Sequence, residues 1–353
     1  MINREENLAE LVGRLRHAEW VAIDTEADSL HAYPEKLCLL QISIEGADEL
    51  VDPLARLNLG PLLEALAARE IIFHGSDYDL RLLHRTVGFV PHSIFDTMIA
   101  ARLCGGLEFG LANLVQKYLQ RTLEKGSQKA DWARRPLTPR MEEYARNDTR
   151  HLKPLSDLLR AELAAKGRLE WLRETCARLV VEGTTPRPEE SLRERWRLGG
   201  SSRLTRRGLG VLRELWLWRE EVAIDLNRPP FFVLSHDTLL ALSEAASADQ
   251  PVEPLVPTRF PPHRRAGVLH AIERGRRLSP SQLPEIPRPE RRRVTEAEKK
   301  RFADLKKKRD DVATALTLDP TLIASKSDLL ELSKEQGAPA GLLMSWQSKL
   351  LFG

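Results

Sequence analysis

Four carboxylates and one tyrosine, carried on three separate segments, are the side chains of this chain best suited to chemistry. Asp24 and Glu26 end one apolar run, Asp79 follows another, and Tyr144 and Asp148 lie in a third segment. Carboxylate oxygens are the ligands that hard divalent cations prefer, and a pair of such ions can catalyse phosphodiester hydrolysis. The set therefore predicts a two-metal phosphodiesterase.

The first pair has a spacing that suits a metal site. Asp24 and Glu26 are two residues apart, so on a strand their side chains point to the same face. Adjacent carboxylates repel each other unless a positive charge lies between them, and Mg²⁺ would supply that charge. The pair also fits a simpler interpretation, because strand ends are often acidic where they approach solvent.

The other three residues lie on predicted helices. Tyr144 and Asp148 are four residues apart, so they lie on one face of a helix. The apolar residues Ala145 and Leu152 lie on that face or next to it. An unpaired aspartate would be costly to bury there, so either a metal ion satisfies Asp148 or it lies at the rim of an amphipathic helix. Asp79 is in the first turns of another helix, where acidic residues are favoured in any case.

The first 165 residues have the pattern of an α/β domain. Short apolar runs predict strands, and longer amphipathic segments predict helices. The predicted strands are residues 20–23, 37–44, 49–51 and 71–73, and the predicted helices are 77–86, 96–104, 110–119 and 138–164. This order is typical of a mixed sheet flanked by helices. Beyond residue 165 the patterns are helical.

The composition indicates a globular protein of two or three domains. Of 353 residues, 42% are hydrophobic and 30% are charged, and the net charge is only +3, so any basic surface must be local. Three widely separated cysteines argue against a disulfide framework or a zinc site. No apolar stretch reaches the roughly 18 residues of a membrane span. The sequence contains no Walker motif, so we expect no nucleotide cofactor. We expect a cytoplasmic protein.

The carboxylate segments and their surroundings resemble the DEDD superfamily of 3′-5′ exonucleases, and within it the ribonuclease D family. The resembling segments are Asp24–Leu30, Tyr33–Ser43, His74–Leu80, Ile94–Thr97, Lys129–Thr138 and Tyr144–Asp148. The superfamily has a histidine branch and a tyrosine branch, and the histidine branch would require histidine where this chain has Glu143. All five functional positions of the tyrosine branch are present.

The resemblance implies a ribonuclease H-like α/β fold and hydrolysis assisted by two divalent cations, Mg²⁺ or Mn²⁺. By this analogy Asp24 bridges both ions, Glu26 and Asp148 complete the site of one, and Asp79 supports the other. Tyr144 would orient the attacking water, because a phenol with a pKa of about 10 is a poor base at neutral pH.

Four further residues are predicted to contact the substrate: Thr25, Leu30, His74 and Arg135. Thr25 and Leu30 resemble family positions that meet the terminal base or sugar, and Arg135 would meet a phosphate. Asp96 and Trp132 also match the family. For these two, a helix N-cap and core packing are the favoured interpretations.

Two all-α modules follow, and both resemble the HRDC domain. The first is indicated by the helix break at residues 227–230 and by Ser235–Leu242, which Ser325–Leu332 echoes. The predicted map is an exonuclease domain at 1–165, a helical linker at 166–200, an HRDC domain at 201–280, a Pro- and Arg-rich linker at 281–294, and a divergent HRDC-like domain at 295–353. Basic clusters at 291–293, 299–301 and 306–309 predict either RNA contact or a solvated helix face.

The resemblance thus implies a 3′-5′ exoribonuclease that releases nucleoside 5′-monophosphates. The implied partners are structured RNAs with a free 3′ end, such as tRNA precursors. One alternative is a 3′-5′ exonuclease that acts mainly on DNA, since the catalytic set would be the same. Another is an RNA-binding scaffold with a vestigial nuclease fold, and the complete set of five residues argues against it.

Overall fold

A mixed five-stranded sheet organises the amino-terminal half of the chain. The computed structural model describes residues 1–124, 126–186, 194–286, 294–334 and 340–353. The strands are β1 (Val21–Ala27), β2 (Leu37–Ile44), β3 (Ala47–Val51), β4 (Glu70–Phe73) and β5 (Ser93–Asp96). Their order is β3-β2-β1-β4-β5, with β2 antiparallel to β1 and β3, and β4 parallel to β1 and β5. The predicted mixed sheet is confirmed.

The central strands form where the sequence can be buried. Val21, Ala22 and Ile23 of β1 are fully buried, and every residue of β2 is buried. Such continuously buried runs are typical of sheets that are covered on both faces. Strand β5 is not predicted by the sequence pattern, because four residues are too few to show an alternation.

Among the described residues up to Thr184, eight helices accompany the sheet. They are α1 (Glu5–His17), α2 (Gly60–Ala67), α3 (Asp77–Val87), α4 (Thr97–Leu103), α5 (Leu111–Leu119), α6 (Pro139–Arg150), α7 (Leu152–Ala165) and α8 (Leu169–Thr184). Helix α6 packs against β1, β2 and β3, whereas α7 contacts β1 and β4, and α8 contacts α3 and β5. The sequence analysis did not predict α1 and α2.

The single helix predicted at 138–164 is wrong, because the chain breaks there into α6 and α7. Helix α6 ends at Arg150, His151 forms the junction, and α7 begins at Leu152. Pro154 explains the break, since it has no N–H to donate to the carbonyl four residues earlier and its ring would clash with that carbonyl.

A second compact unit comprises Asp28–Lys36 and Pro186–Arg292. Its helices are α9 (Arg206–Asp225), α10 (Pro230–Val233), α11 (His236–Ser247) and α12 (Pro262–Arg277). Helix α9 packs against α11 and α12 around a core of its own. The loop 28–36 joins this unit through Tyr33, whose hydroxyl donates to Glu220 and whose backbone N–H donates to Asn227 Oδ1 at 3.3 Å.

The carboxyl-terminal helices belong to the first compact unit, which comprises Met1–Ala27, Leu37–Thr185 and Arg293–Gly353. They are α13 (Glu296–Leu316), α14 (Pro320–Ile323), α15 (Lys326–Ser333) and α16 (Ser345–Phe352). Ala313 and Ile323 enter the same hydrophobic core as the sheet. Trp346 stacks on Trp171 of α8, with ring centroids 4.9 Å apart and planes 14° apart.

One local arrangement occurs both in α9–α11 and in α13–α15. A buried arginine donates to a carbonyl 15 residues later, from Arg219 Nη1 to Leu234 O at 3.5 Å and from Arg309 Nη1 to Ala324 O at 2.9 Å. The residue after each carbonyl is a serine that caps the next helix. A long helix, a one-turn helix and a serine-capped helix therefore follow one another twice in the same order.

The sequence also led to expectations about membrane spans, cysteines, basic clusters and domain boundaries. No helix of the described residues is both long and apolar enough to cross a membrane. The three cysteines are buried free thiols, as expected. The basic cluster at 291–293 and the linker residues 287–293 lie outside the described residues. The predicted domain boundaries stay a prediction.

Gly183 provides a test of how tightly α8 packs on α3. A Cβ at Gly183 would lie 2.9 Å from Leu80 Cβ, whereas a Cβ at Gly13 in α1 would meet nothing within 4 Å. We expect Gly183→Ala to lower the free energy of unfolding by about 1–3 kcal/mol through overpacking. Gly13→Ala should raise it by about 0.5–1 kcal/mol, because alanine is the better helix former. Thermal unfolding of both variants checks this, and shifts of the same sign would contradict it.

Candidate metal centre

The sheet topology brings the first two acidic segments together. Strand β1 pairs in parallel with β4, with Val21 opposite Ile71 and Ala22 opposite Ile72, so the carboxyl ends of both strands lie at one edge. Asp24 and Glu26 extend β1 at this edge. Helix α3 begins four residues after β4 and carries Asp79 in its first turn. These carboxylates meet because two parallel strands end together.

Helix α6 contributes the third segment, and polar contacts fix it against β2 and β3. The hydroxyl oxygens of Ser43 on β2 and Thr149 lie 2.8 Å apart, and Arg150 Nε donates to Asp48 Oδ2 on β3 at 2.6 Å. Helix α6 begins after Thr138, which caps it by accepting a hydrogen bond from the Met141 N–H at 3.2 Å. The face that bears Tyr144 and Asp148 is thereby directed towards β1.

Three carboxylates form a compact cluster. Oxygen atoms of Asp24, Glu26 and Asp148 all lie within 4.8 Å of one another. Asp79 is close enough for its charge to raise the pKa of Asp24. The structure therefore brings together all four acidic residues that the sequence predicted.

Burial makes this cluster electrostatically unfavourable without a cation. Desolvation raises the pKa of Glu26 to about 9, that of Asp148 to about 7 and that of Asp79 to about 6, and neighbouring carboxylates add to the effect. The pKa of Asp24 is also raised well above its usual range, first by burial and then by the other three charges. None of the four has an ion-pair partner among the described residues. The site lacks positive charge, and oxygen-rich sites of this kind fit hard divalent cations.

Two neutral side chains orient the carboxylates. Thr25, predicted to contact substrate, is buried and donates its hydroxyl to Asp79 Oδ1 at 2.5 Å, which lowers the pKa of Asp79 against the effect of burial. Gln41 on β2 lies opposite Asp24 in the antiparallel register and donates Nε2 to Asp24 Oδ2 at 3.3 Å. The sequence analysis missed Gln41, and its only signal would have been the register of β1 against β2.

Tyr144 stands beside the cluster as a hydrogen-bond donor. Its hydroxyl donates to the Asp148 carboxylate, which lowers the pKa of Asp148, and it accepts from Gln128. Burial and the surrounding carboxylates raise the pKa of Tyr144, so the phenol is protonated at neutral pH. The centroid of its ring lies 6.1 Å from the ring centroid of Trp132. A Cβ at Gly126 would come within 3.1 Å of the ring.

His74, a predicted substrate contact, has a defined internal partner. Its Nδ1 lies 2.9 Å from Thr97 Oγ1, and Thr97 donates its one hydroxyl proton to the Phe73 carbonyl. Nδ1 must therefore be the donor, which leaves Nε2 as an acceptor. Burial lowers the pKa of His74, so the ring is neutral at pH 7.

Arg135 is engaged within the protein rather than open to a phosphate. Its five N–H donors all have partners at 2.6–3.0 Å: the two oxygens of Asp52 and the carbonyls of Cys38, Trp132 and Arg134. Since a guanidinium has only five N–H groups, all of them are used within the protein, and the phosphate contact of Arg135 stays a prediction. Leu30, the remaining predicted contact, is 42% exposed.

The structural roles expected for two other residues are confirmed. Asp96 caps α4 by accepting from the N–H groups of Met98 and Ile99. It also accepts from the backbone and side chain of Ser76, which ties the start of α3 to the end of β5. Trp132 is buried in the core that supports β2 and α6.

Known proteins resemble this chain in sequence and in fold. A family model described as a 3′-5′ exonuclease matches residues 1–164, and an HRDC domain model matches residues 208–250. The ribonuclease D of Gluconacetobacter diazotrophicus is 33% identical over all of this chain and 90% of its own length. That of Granulibacter bethesdensis is 32% identical over 98% of this chain and 89% of its own length.

A solved structure agrees over nearly the whole chain. It is the crystal structure of Escherichia coli RNase D, described as an exoribonuclease involved in structured RNA processing, with a TM-score of 0.78 and 25% identity over 99% of this chain and 96% of that one. The fold and the matched exonuclease model define a 3′-5′ exonuclease. The chain belongs to the ribonuclease D family.

The raised carboxylate pKa values predict how metal-free protein responds to pH. Between the usual carboxyl pKa near 4 and the values of about 6, 7 and 9, the folded state binds more protons than the unfolded state. The free energy of unfolding therefore falls as pH rises through this window. Chelated protein should melt at a lower temperature at pH 8 than at pH 5.5, and millimolar Mg²⁺ or Mn²⁺ should restore stability at pH 8.

Asp148→Asn separates this effect from the titration of other groups. The variant should show a weaker pH dependence and a smaller response to metal in thermal melts. Asp77→Asn is the matched control, because Asp77 lies outside the cluster and pairs with Arg81. Equal pH and metal responses in wild type and Asp148→Asn would refute the assignment.

Proposed function

We propose that the chain is a metal-dependent 3′-5′ exoribonuclease that releases nucleoside 5′-monophosphates one at a time. The observation that carries the proposal is the half-buried cluster of Asp24, Glu26 and Asp148, with oxygens within 4.8 Å and no basic partner among the described residues. Asp79 and Tyr144 complete the set expected of the tyrosine branch.

The acidic residues would hold two divalent cations, Mg²⁺ or Mn²⁺. Asp24 would be shared by both ions, Glu26 and Asp148 would serve one, and Asp79 would serve the other. When bound, such ions supply positive charge to the scissile phosphate and lower the pKa of water. Thr25 and Gln41 then act by holding Asp79 and Asp24 in place through neutral hydrogen bonds.

Tyr144 would act as a donor and not as a base. Its pKa is raised, so loss of its proton at neutral pH is unfavourable. The hydroxyl sits between the Asp148 carboxylate and Gln128, where it can orient Asp148 and a water or phosphate oxygen nearby. Positioning by a protonated phenol is consistent with a reaction whose charge is handled by the carboxylate site.

The substrates we propose are structured RNAs with short 3′ extensions, including tRNA precursors. Support comes from family membership and from the Escherichia coli relative, which is described as acting in structured RNA processing. Neither alternative, an exonuclease acting mainly on DNA or an inactive RNA-binding scaffold, is favoured by a specific observation.

We also infer that α13–α15 are a second, divergent HRDC copy. The repeated arginine-to-carbonyl bond and the serine cap support a common origin with α9–α11. In this interpretation the first copy provides a helical unit for RNA contact. The second copy packs into the core of the nuclease unit through Ala313 and Ile323.

Cleavage of a 3′-extended tRNA with Mg²⁺ or Mn²⁺ tests the proposed function. Wild type and Asp77→Asn should release 5′-monophosphates stepwise. Asp24→Asn should be slower by at least about 10³-fold, because Asp24 is the carboxylate shared by both metal sites. Matched RNA and DNA strands should show faster cleavage of RNA. Tight, metal-independent RNA binding without release by wild type would leave only the scaffold.

Tyr144→Phe tests the role of the phenol hydroxyl. We expect kcat to fall roughly 10²-fold, within the range for removal of a catalytic hydrogen-bond donor, with little change in KM. Tyr118→Phe is the matched control, since Tyr118 donates to Glu162 at 2.8 Å away from the cluster. An unchanged kcat in Tyr144→Phe, or an equal decrease in Tyr118→Phe, would remove Tyr144 from the mechanism.

A further inference from the structure

A cavity of about 750 Å³ lies on the side of Tyr144 that faces residues 121–124 and Gly126. One wall is formed by these residues, which follow α5, and the other is one face of α6. The lining residues of α6 recur at helical spacing: Arg140, Glu143, Tyr144, Asn147 and Arg150. Its volume is within the range of pockets that hold small ligands or single ligand groups. Because Tyr144 borders both, the cavity adjoins the carboxylate cluster.

Two cations of this cavity lie where they favour an anion. Arg140 is in the first turn of α6, where the helix dipole disfavours a positive charge. Arg121 is exposed, and its guanidinium has no hydrogen-bond or ion-pair partner among the described residues. Arg140 adds to the partial positive charge of the helix start, and Arg121 lines the same cavity, so both charges attract a negatively charged group into it.

The acidic residues in the lining cancel this potential only in part. Glu143 already accepts from Arg150 at 2.8 Å, so those two charges offset each other within the wall. Glu124 is the remaining carboxylate. At the His151 end of the cavity, burial and then the charges of Arg121 and Arg150 lower the pKa of His151, whereas Asp48 and Glu143 raise it.

We propose that this cavity binds a backbone phosphate of the RNA strand, upstream of the scissile bond, through Arg121 and Arg140. The proposal rests on the proposed exoribonuclease function, since it takes the strand's 3′ end to lie at the carboxylate cluster. In this proposal the acidic cluster binds metal ions, and the cationic cavity binds phosphate. A phosphate contact of this kind strengthens binding without reading the base.

The test measures RNA affinity and cleavage separately in the full chain. Affinity is read from the anisotropy of a 5′-labelled ten-nucleotide RNA in an Asp24→Asn background, over a series of salt concentrations. Adding Arg121→Gln and Arg140→Gln should raise Kd roughly five- to tenfold and reduce the salt slope by about 0.7 for each phosphate that is no longer neutralised. Glu124→Gln should lower Kd. Arg173→Gln, an exposed arginine on α8, is the control and should change neither.

Cleavage by the double arginine variant distinguishes the possible sources of the phosphate. We expect kcat/KM to fall five- to tenfold on the ten-nucleotide RNA and to stay unchanged on a dinucleotide, which lacks upstream phosphates. An equal decrease on the dinucleotide would overturn the proposal by placing the arginines at the scissile phosphate. Weaker inhibition by a nucleoside 5′-monophosphate, with RNA affinity intact, would assign the cavity to product instead.

Failure of this phosphate-site proposal and failure of the proposed function would give different results. Unchanged affinity and salt slope would show that Arg121 and Arg140 are solvated surface residues, and the proposal would fall. Failure of the wild-type enzyme to cleave either substrate would instead refute the proposed function. In that case the binding series still reports whether the arginines contact RNA.

Discussion

The structure depends on holding four acidic side chains together in a site where three are half-buried and Asp79 is buried. Burial and mutual repulsion raise the pKa of every member, and that of Glu26 reaches about 9. The buried run Val21–Ile23 and the packing of α6 on β1–β3 must supply the free energy that opposes this repulsion. A divalent cation removes the same repulsion, so the fold prepares a site whose stability increases when the ligand binds.

Neutral donors surround this cluster, and charged donors lie elsewhere. Thr25, Gln41 and Tyr144 orient carboxylates by single hydrogen bonds without cancelling their charge. A lysine or arginine in the same positions would compete with metal ions for the carboxylate oxygens. Arg121 and Arg140 lie instead in the cavity on the other side of Tyr144. The ring of Tyr144 therefore borders two regions of opposite potential.

Much of the candidate site could be predicted because its signals are local. Asp24 and Glu26 share a strand face, and Tyr144 and Asp148 share a helix face, wherever those elements lie. The limits of such signals appear at His151, where Pro154 divides a helix that looked continuous. They appear again in β5, whose four residues form a strand only because β4 is beside them.

The sequence by itself determined the chemical types of the functional side chains and their spacing within each element, since both follow from the helix and strand periods. Only the tertiary structure decided which polar groups meet across elements. Gln41 faces Asp24 through the β1–β2 register. Arg135 donates to Asp52 and to the Cys38 carbonyl, both far away in sequence, and so joins distant segments of the fold. The physical reason is that long-range pairing depends on the packing of the whole unit, and no local period encodes it.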